Sequence, residues 1–202
     1  MRYFLATMAA TVTLLSQSAI AAPVPMDDLK KLPKYYPVVP GTVWEYEMGE
    51  TTQKIRVTDS KKDDEDVIRG SLGTIVEDRE TASEGFKVDE TGVYRTRIPG
   101  LTFSPPILLL KFGIKDGEEW TTKTGEYIVK CKLDGQEEIK VPAGTYKAIK
   151  VSHTTEHNGK IVNAATSYYS EGVGLVKIHY KLGDAEAILS LKKFKLGKEA
   201  KK

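Results

Sequence analysis

EYIVKCKLDGQEEIKVPAGTYKAIKVSHTTEHNGKIVNAATSYY, residues 126–169, is the stretch whose turn chemistry decides the fold. Asp134-Gly135 and Asn158-Gly159 are pairs whose residues tolerate the positive φ that two-residue hairpin turns need. Pro142-Ala143-Gly144 has the form of a three-residue hairpin, with Pro presetting φ and Gly at a left-handed bulge position. Between the turns the side chains alternate. In 126–133, Tyr127, Val129, Cys131 and Leu133 share an apolar face, and Lys130 and Lys132 point the other way. Gly183-Asp184 continues the series, so 126–133, 136–141, 145–157, 160–169, 175–181 and 185–194 are predicted as consecutive antiparallel strands.

Outward from this stretch the pattern is weaker but of the same kind, with 43–48, 53–59, 66–78, 85–89 and 93–98 as further candidate strands. No segment shows a sustained 3.6-residue apolar period; a short helix is expected only within 26–34, ended by Pro33. The prediction is an all-β fold, an antiparallel meander of roughly ten strands curled to hide its edges in a barrel or half-barrel, with a two-sheet sandwich as the alternative. A faint internal repeat supports it. Tyr36-x-Val38-x-x-Gly41-x-x-Trp44 matches Phe112-x-Ile114-x-x-Gly117-x-x-Trp120, each copy reading as a tight turn that feeds a strand whose first large residue is Trp.

The N-terminus carries an address. Arg2, an apolar stretch from Phe4 to Leu15, and Ala19-Ile20-Ala21 before Ala22 have the form of a cleaved export signal. The apolar stretch is too short to span a bilayer, which needs about 20 residues. Removing 21 of 202 residues leaves 181 and takes the formal charge from +2 to +1 through loss of Arg2. No transmembrane segment is then expected, and the predicted organisation is a signal peptide over 1–21, one β domain over 22–196 and a Lys-rich tail over 197–202. With no Cys after the cleavage point to carry a lipid, the expected location is the periplasm or the extracellular space. A chain of this size needs no disulfide staple, and the alternation around Cys131 makes it a buried, inert thiol.

Near-neutral charge selects no polyanionic partner, and no nucleic-acid partner is expected. The lysines from Lys192 onward, with no interleaved aromatics beyond Phe194, read as a frayed solubilising tail. The cluster Asp63-Asp64-Glu65-Asp66 lacks the spacing and Gly of a calcium loop and reads as a solvated turn. No phosphate-binding loop, dinucleotide fingerprint or nucleophile elbow is present, and no cofactor is expected. His153-Thr154-Thr155-Glu156-His157 spells H-x-x-E-H, a zinc-peptidase signature that requires a helix. On the predicted strand the two imidazoles stand about 13 Å apart, four rises of roughly 3.3 Å, which counts against a metallohydrolase. Pairing through Asn158-Gly159 sets His153 beside Ala164 and His179 near Ala165, on opposite faces, with the histidines solvated.

Pro105-Pro106-Ile107-Leu108-Leu109-Leu110 does not alternate and reads as a loop folded over the open end of the sheet, or as an apolar lip on a ligand pocket. With Trp44, Tyr46, Trp120 and Tyr168, the residues Leu108, Leu109 and Leu110 form the candidate ligand-binding set. The function expected is non-enzymatic binding of a lipid or other apolar or amphipathic ligand on a curved sheet. The alternative is a structural or interaction module with an envelope protein as partner.

Val141-Pro142-Ala143-Gly144-Thr145-Tyr146-Lys147-Ala148 and Tyr168-Tyr169-Ser170-Glu171-Gly172-Val173-Gly174-Leu175-Val176-Lys177 resemble an uncharacterised family of exported bacterial β-rich envelope proteins. Its members repeat a "PAGTF…YYAPGVGLVK" pattern, and the opening Tyr36-Pro37…Gly41…Trp44-x-Tyr46 is similar too. The resemblance implies a curved antiparallel sheet in the cell envelope, built on turn and packing motifs rather than catalytic ones.

Overall fold

The computed structural model describes residues 35–76, 79–183 and 185–198. The expected signal peptide, the expected helix within 26–34, Asp184 and the last tail residues lie outside the described residues. Among the described residues twelve strands follow one another: β1 Val43–Met48, β2 Thr51–Lys62, β3 Ile68–Val76, β4 Arg79–Asp89, β5 Gly92–Ile98 and β6 Leu101–Lys111, then β7 Glu119–Thr124, β8 Tyr127–Val141, β9 Gly144–His157, β10 Lys160–Ser170, β11 Gly174–Leu182 and β12 Ala185–Lys195. They form one antiparallel sheet in the order β6-β5-β4-β3-β2-β1-β12-β11-β10-β9-β8-β7.

The sheet is a meander cut once and rejoined: the first and last strands, β1 and β12, pair in register from Val43–Lys195 to Glu47–Ser190, which leaves β6 and β7 as the edges. Those edges meet. The Leu108 N–H on β6 donates to Thr122 Oγ1 at 3.3 Å, and Trp120 Nε1–H on β7 donates to the Leu108 carbonyl at 2.9 Å. Lys111 and Glu118 pair at 3.0 Å at one end of this seam, and the rings of Phe103 and Tyr127 meet edge-on at 6.5 Å toward the other. Side chains thus do at the seam what a backbone ladder does elsewhere, and the sheet is nearly closed into a barrel.

The interior confirms the curl. Trp44 Nε1–H on β1 donates to the Val173 carbonyl at 2.6 Å, and Tyr46 OH to that of Leu175 at 2.8 Å, both past the intervening β12. The charge of Arg95 on β5 reaches His153 on β9, Tyr169 on β10 and Tyr180 on β11, strands far from β5 in the sheet. Leu110, Val151, Val176 and Leu191 are wholly buried in a core that also holds Phe86, Val93, Trp44 and Tyr169. Burial of side chains this size contributes about 1.5–3 kcal/mol each.

The internal repeat is a repeat of backbone bonds. Gly41 N–H donates to the Val57 carbonyl and Gly117 N–H to that of Leu133, both at 2.8 Å, and each acceptor residue's N–H returns to the carbonyl of Thr42 or Glu118. Both glycines sit at positive φ, +80° and +84°, which Gly adopts without steric cost. A β-bulge then follows the same residue in each copy, after Val57 in β2 and after Leu133 in β8. The barrel is therefore two related halves, β1–β6 and β7–β12.

Several expectations are corrected. Asp134-Gly135 makes no hairpin: β8 runs through it as one strand, and Gly135 at φ +91° accommodates the bulge opposite β9. Val141 pairs directly with Gly144, so the next turn has two residues, Pro142 and Ala143. The 105–110 segment is no plug or lip but part of β6. Its broken alternation comes from an extra residue, Leu109, between the Tyr94–Leu108 and Val93–Leu110 pairs, which lets Ile107 and Leu110 both be buried. Its two prolines lie on an edge strand, where a missing N–H is tolerated. Lys192, Lys193 and Lys195 belong to β12 rather than a frayed tail, and Gly197 N–H donates to Thr42 Oγ1 at 3.0 Å.

Candidate functional site

The two ends of the barrel differ in their connections. At one end β1–β2, β5–β6, β7–β8 and β9–β10 are each joined by two residues. At the other, residues 63–67 join β2 to β3 and 112–118 join β6 to β7. The longer connections leave room that tight hairpins do not. A cavity of ≈ 520 Å³ opens there, lined by the apolar residues Ile68, Val88, Phe112, Ile114, Leu133 and Ile149 together with Tyr35, Asp66, Asp89, Glu90 and Lys111. This volume lies within the roughly 300–1,000 Å³ of small-molecule sites.

Each wall residue has a local cause. Val88 ends the inward row of β4 that begins with Phe86, and Leu133 ends the apolar face of β8 just before its bulge. Phe112 and Ile114 belong to the second copy of the repeat. Their counterparts in the first copy, Tyr36 and Val38, are packed away: Tyr36 lies against Trp44 at 6.1 Å and Phe86 at 6.2 Å between ring centroids, and Val38 is buried. Tyr36 is thus taken up by the core, whereas Phe112 and Ile114 face a cavity whose other wall, Ile68 and Val88, comes from the first half.

The charges around the cavity are mostly committed. Lys62 pairs with Asp66 at 2.6 Å, Lys87 with Asp89 at 2.7 Å and Lys111 with Glu118 at 3.0 Å. Burial works against the Asp89 charge, but hydrogen bonds from Lys87 and Thr91 outweigh it and hold that carboxyl below the usual range. Hydrogen bonds from Lys111 and the Lys115 N–H hold Glu118 low as well. Glu90 is exposed and pairs with no cation among the described residues.

None of the seven residues expected to bind ligand lines this cavity. Trp44, Tyr46 and Leu110 are core residues, Trp120 and Leu108 form the seam, Leu109 is the bulge residue of β6, and Tyr168 lies on the opposite face of β10 from Tyr169, with Lys177 5.7 Å from its ring. The structure brings Leu108 and Trp120 together, and Trp44 with Tyr46, but not the set as a whole. The repeat contains two of the cavity's residues, Phe112 and Ile114, and the acidic cluster a third, Asp66, but from the sequence these read as a turn motif and a solvated turn rather than as a binding site.

H-x-x-E-H lies on strand β9, as its β-branched residues and following turn require. Glu156 pairs with Lys130 at 2.6 Å, and His157 stacks on Tyr127 at 4.6 Å and contacts Glu126 at 3.1 Å. His153 departs from the expected solvated histidine. It pairs with Ala165 rather than Ala164, because Val162 is an extra residue in β10, and its Nε2 lies 2.9 Å from Ser167 Oγ inside the barrel. His179 pairs with Thr166, and so faces the other way. Among the described residues no group of His, Cys, Asp and Glu is gathered as metal ligands. Cys131 is buried as expected, its thiol pushed up to about 12 by burial, with Sγ 3.8 Å from the Leu108 carbonyl.

Residues 114–180 match the model of the DUF3108-like family, a domain of unknown function. The two motifs that carry the resemblance to an exported β-rich family lie within that segment. A crystal structure from Bacteroides fragilis, of a protein described as exported with a YmcC-like fold, superposes over 80% of this chain and 99% of its own at a TM-score of 0.52 and 9% identity. A second, described as a lipoprotein from Parabacteroides distasonis, covers 82% of this chain and 100% of its own at a TM-score of 0.47 and 14% identity. No curated protein matches the chain. The B. fragilis likeness is one of fold.

Proposed function

We propose that this is an exported, non-catalytic binding protein that takes an apolar or amphipathic ligand in the loop-end cavity. The observation that carries the reading is the cavity itself, a chamber of ≈ 520 Å³ with an apolar wall, at one end of a barrel whose core is packed with its own side chains. The export-type leader of residues 1–21 supports a site of action beyond the cytoplasm. The ligand enters the space bounded by Phe112, Ile114 and Ile149, not a stacking platform of Trp44 and Trp120. Both indoles already spend their N–H groups on backbone carbonyls.

Native mass spectrometry of the mature protein purified from its own host, compared with the denatured sample, tests this. The expected result is a retained hydrophobic ligand of defined mass, lost in Ile114→Glu. A bare protein that also fails to bind a neutral fluorescent hydrocarbon probe overturns the reading and favours the structural module.

A further inference from the structure

The charges around the cavity bear on the head group of its ligand. Four charged side chains line the chamber, and three of them, Asp66, Asp89 and Glu90, are acids. The fourth, Lys111, is held at 3.0 Å by Glu118. An anionic head group entering here meets no uncommitted ammonium on the lining. To gain one it must displace Glu118 and then sit beside three carboxylates. Lys62 and Lys87 offset Asp66 and Asp89, but Glu90 has no cation among the described residues. Like charges placed together are disfavoured and opposite charges attract, most strongly beside a low-dielectric wall such as Val88 and Phe112 provide.

We infer that the preferred ligand is a single-chain amphiphile with a cationic head group, its hydrocarbon tail against Phe112, Ile114 and Ile149 and its head at Glu90 and Asp89. This rests on the cavity being a ligand site, as proposed above. Selectivity then lies in the 90–91 turn and the 112–118 connection.

The test is calorimetric titration of the mature protein, below micelle-forming concentrations, with three amphiphiles of equal tail: dodecyltrimethylammonium, dodecyl maltoside and dodecanoate. The cation is expected to bind on the order of tenfold more tightly than dodecanoate at low salt, with the maltoside between. The gap should close to about twofold at 1 M salt, where screening acts over about 3 Å. Glu90→Gln should lower the ratio of cation to maltoside affinity by roughly threefold, the scale of one exposed charge pair. Glu50→Gln, at the opposite end of the barrel, should leave that ratio unchanged. Dodecanoate binding as tightly as the cation, or a ratio unmoved by Glu90→Gln, overturns the inference while the cavity reading stands. Binding of none of the three overturns both.

Discussion

His153 occupies a place where an imidazolium is unwelcome. Burial, and then the charge of Arg95, lower its pKa from 6.5 to about 4, so the folded protein holds the ring neutral while the unfolded chain protonates it below pH 6.5. Between pH 6.5 and 4 the unfolded state binds more protons, and stability falls as pH falls through that window. The full shift corresponds to roughly 3 kcal/mol, and partial solvent access leaves about 2. Denaturant midpoints at pH 7 and pH 4.5 should therefore differ more for the wild type than for His153→Gln, which keeps a polar partner for Ser167 but does not titrate. Cys131 gives a second outcome: the folded protein should resist alkylation by iodoacetamide at pH 8 and react fully once denatured, because the reactive thiolate is scarce when burial holds the thiol at about 12. The burial of Cys131 was legible because its strand alternates cleanly. The inward turn of His153 was hidden, since Thr155 and His157 on the same row are polar and Val162 slips the register by one.

At the scale of elements the seam between β6 and β7 is the joint to test. Trp120→Phe keeps most of the packing but removes the N–H that satisfies the Leu108 carbonyl, at an expected cost of about 1–2 kcal/mol. Faster amide hydrogen exchange should appear in Leu108 to Leu110, while Val151 and Val176, far from the seam, keep their protection. A loss of stability without local exchange at β6 would argue that the indole acts only by filling space. Bulges explain why this strand was not legible. A rule built on strict alternation reads Ile107 to Leu110 as irregular, whereas the extra residue Leu109 changes the phase midway. The same device misled the reading of Asp134-Gly135, whose residue types suit a hairpin and a bulge equally. Only the matching bulge after Val57, in a segment without Gly, separates the two. Gly135→Ala, forced to hold φ near +91°, should cost about 1–2 kcal/mol in denaturant unfolding. A Gly in a simple two-residue turn would carry a similar strain, but its loss would not alter exchange in the middle of β9, as loss of the bulge should.

For the molecule as a whole, a ligand that binds only the folded barrel stabilises it by mass action, by about 2.7 kcal/mol at a hundred times its Kd. Dodecyl maltoside at that level should raise Tm by several degrees, and Ile114→Glu should abolish the shift. The barrel and its antiparallel meander were legible because turn residues are local signals. The cavity was not, because its walls come from Ile68, Val88, Leu133 and Ile149, residues that meet only once the sheet curls. The two halves of this barrel are joined twice and in complementary ways. Between β6 and β7 there is a covalent connection without a backbone ladder; between β12 and β1 there is a ladder without a covalent connection. Both ends of the described chain leave from the Val43–Lys195 side of that ladder. Tension applied to them would load its hydrogen bonds one rung after another, as a zipper is drawn, rather than all at once in shear. Mechanically the protein is therefore weak along this one line, and a modest pull on its termini would open the barrel into two six-stranded halves hinged at the 112–118 connection, the segment that supplies the cavity with Phe112 and Ile114.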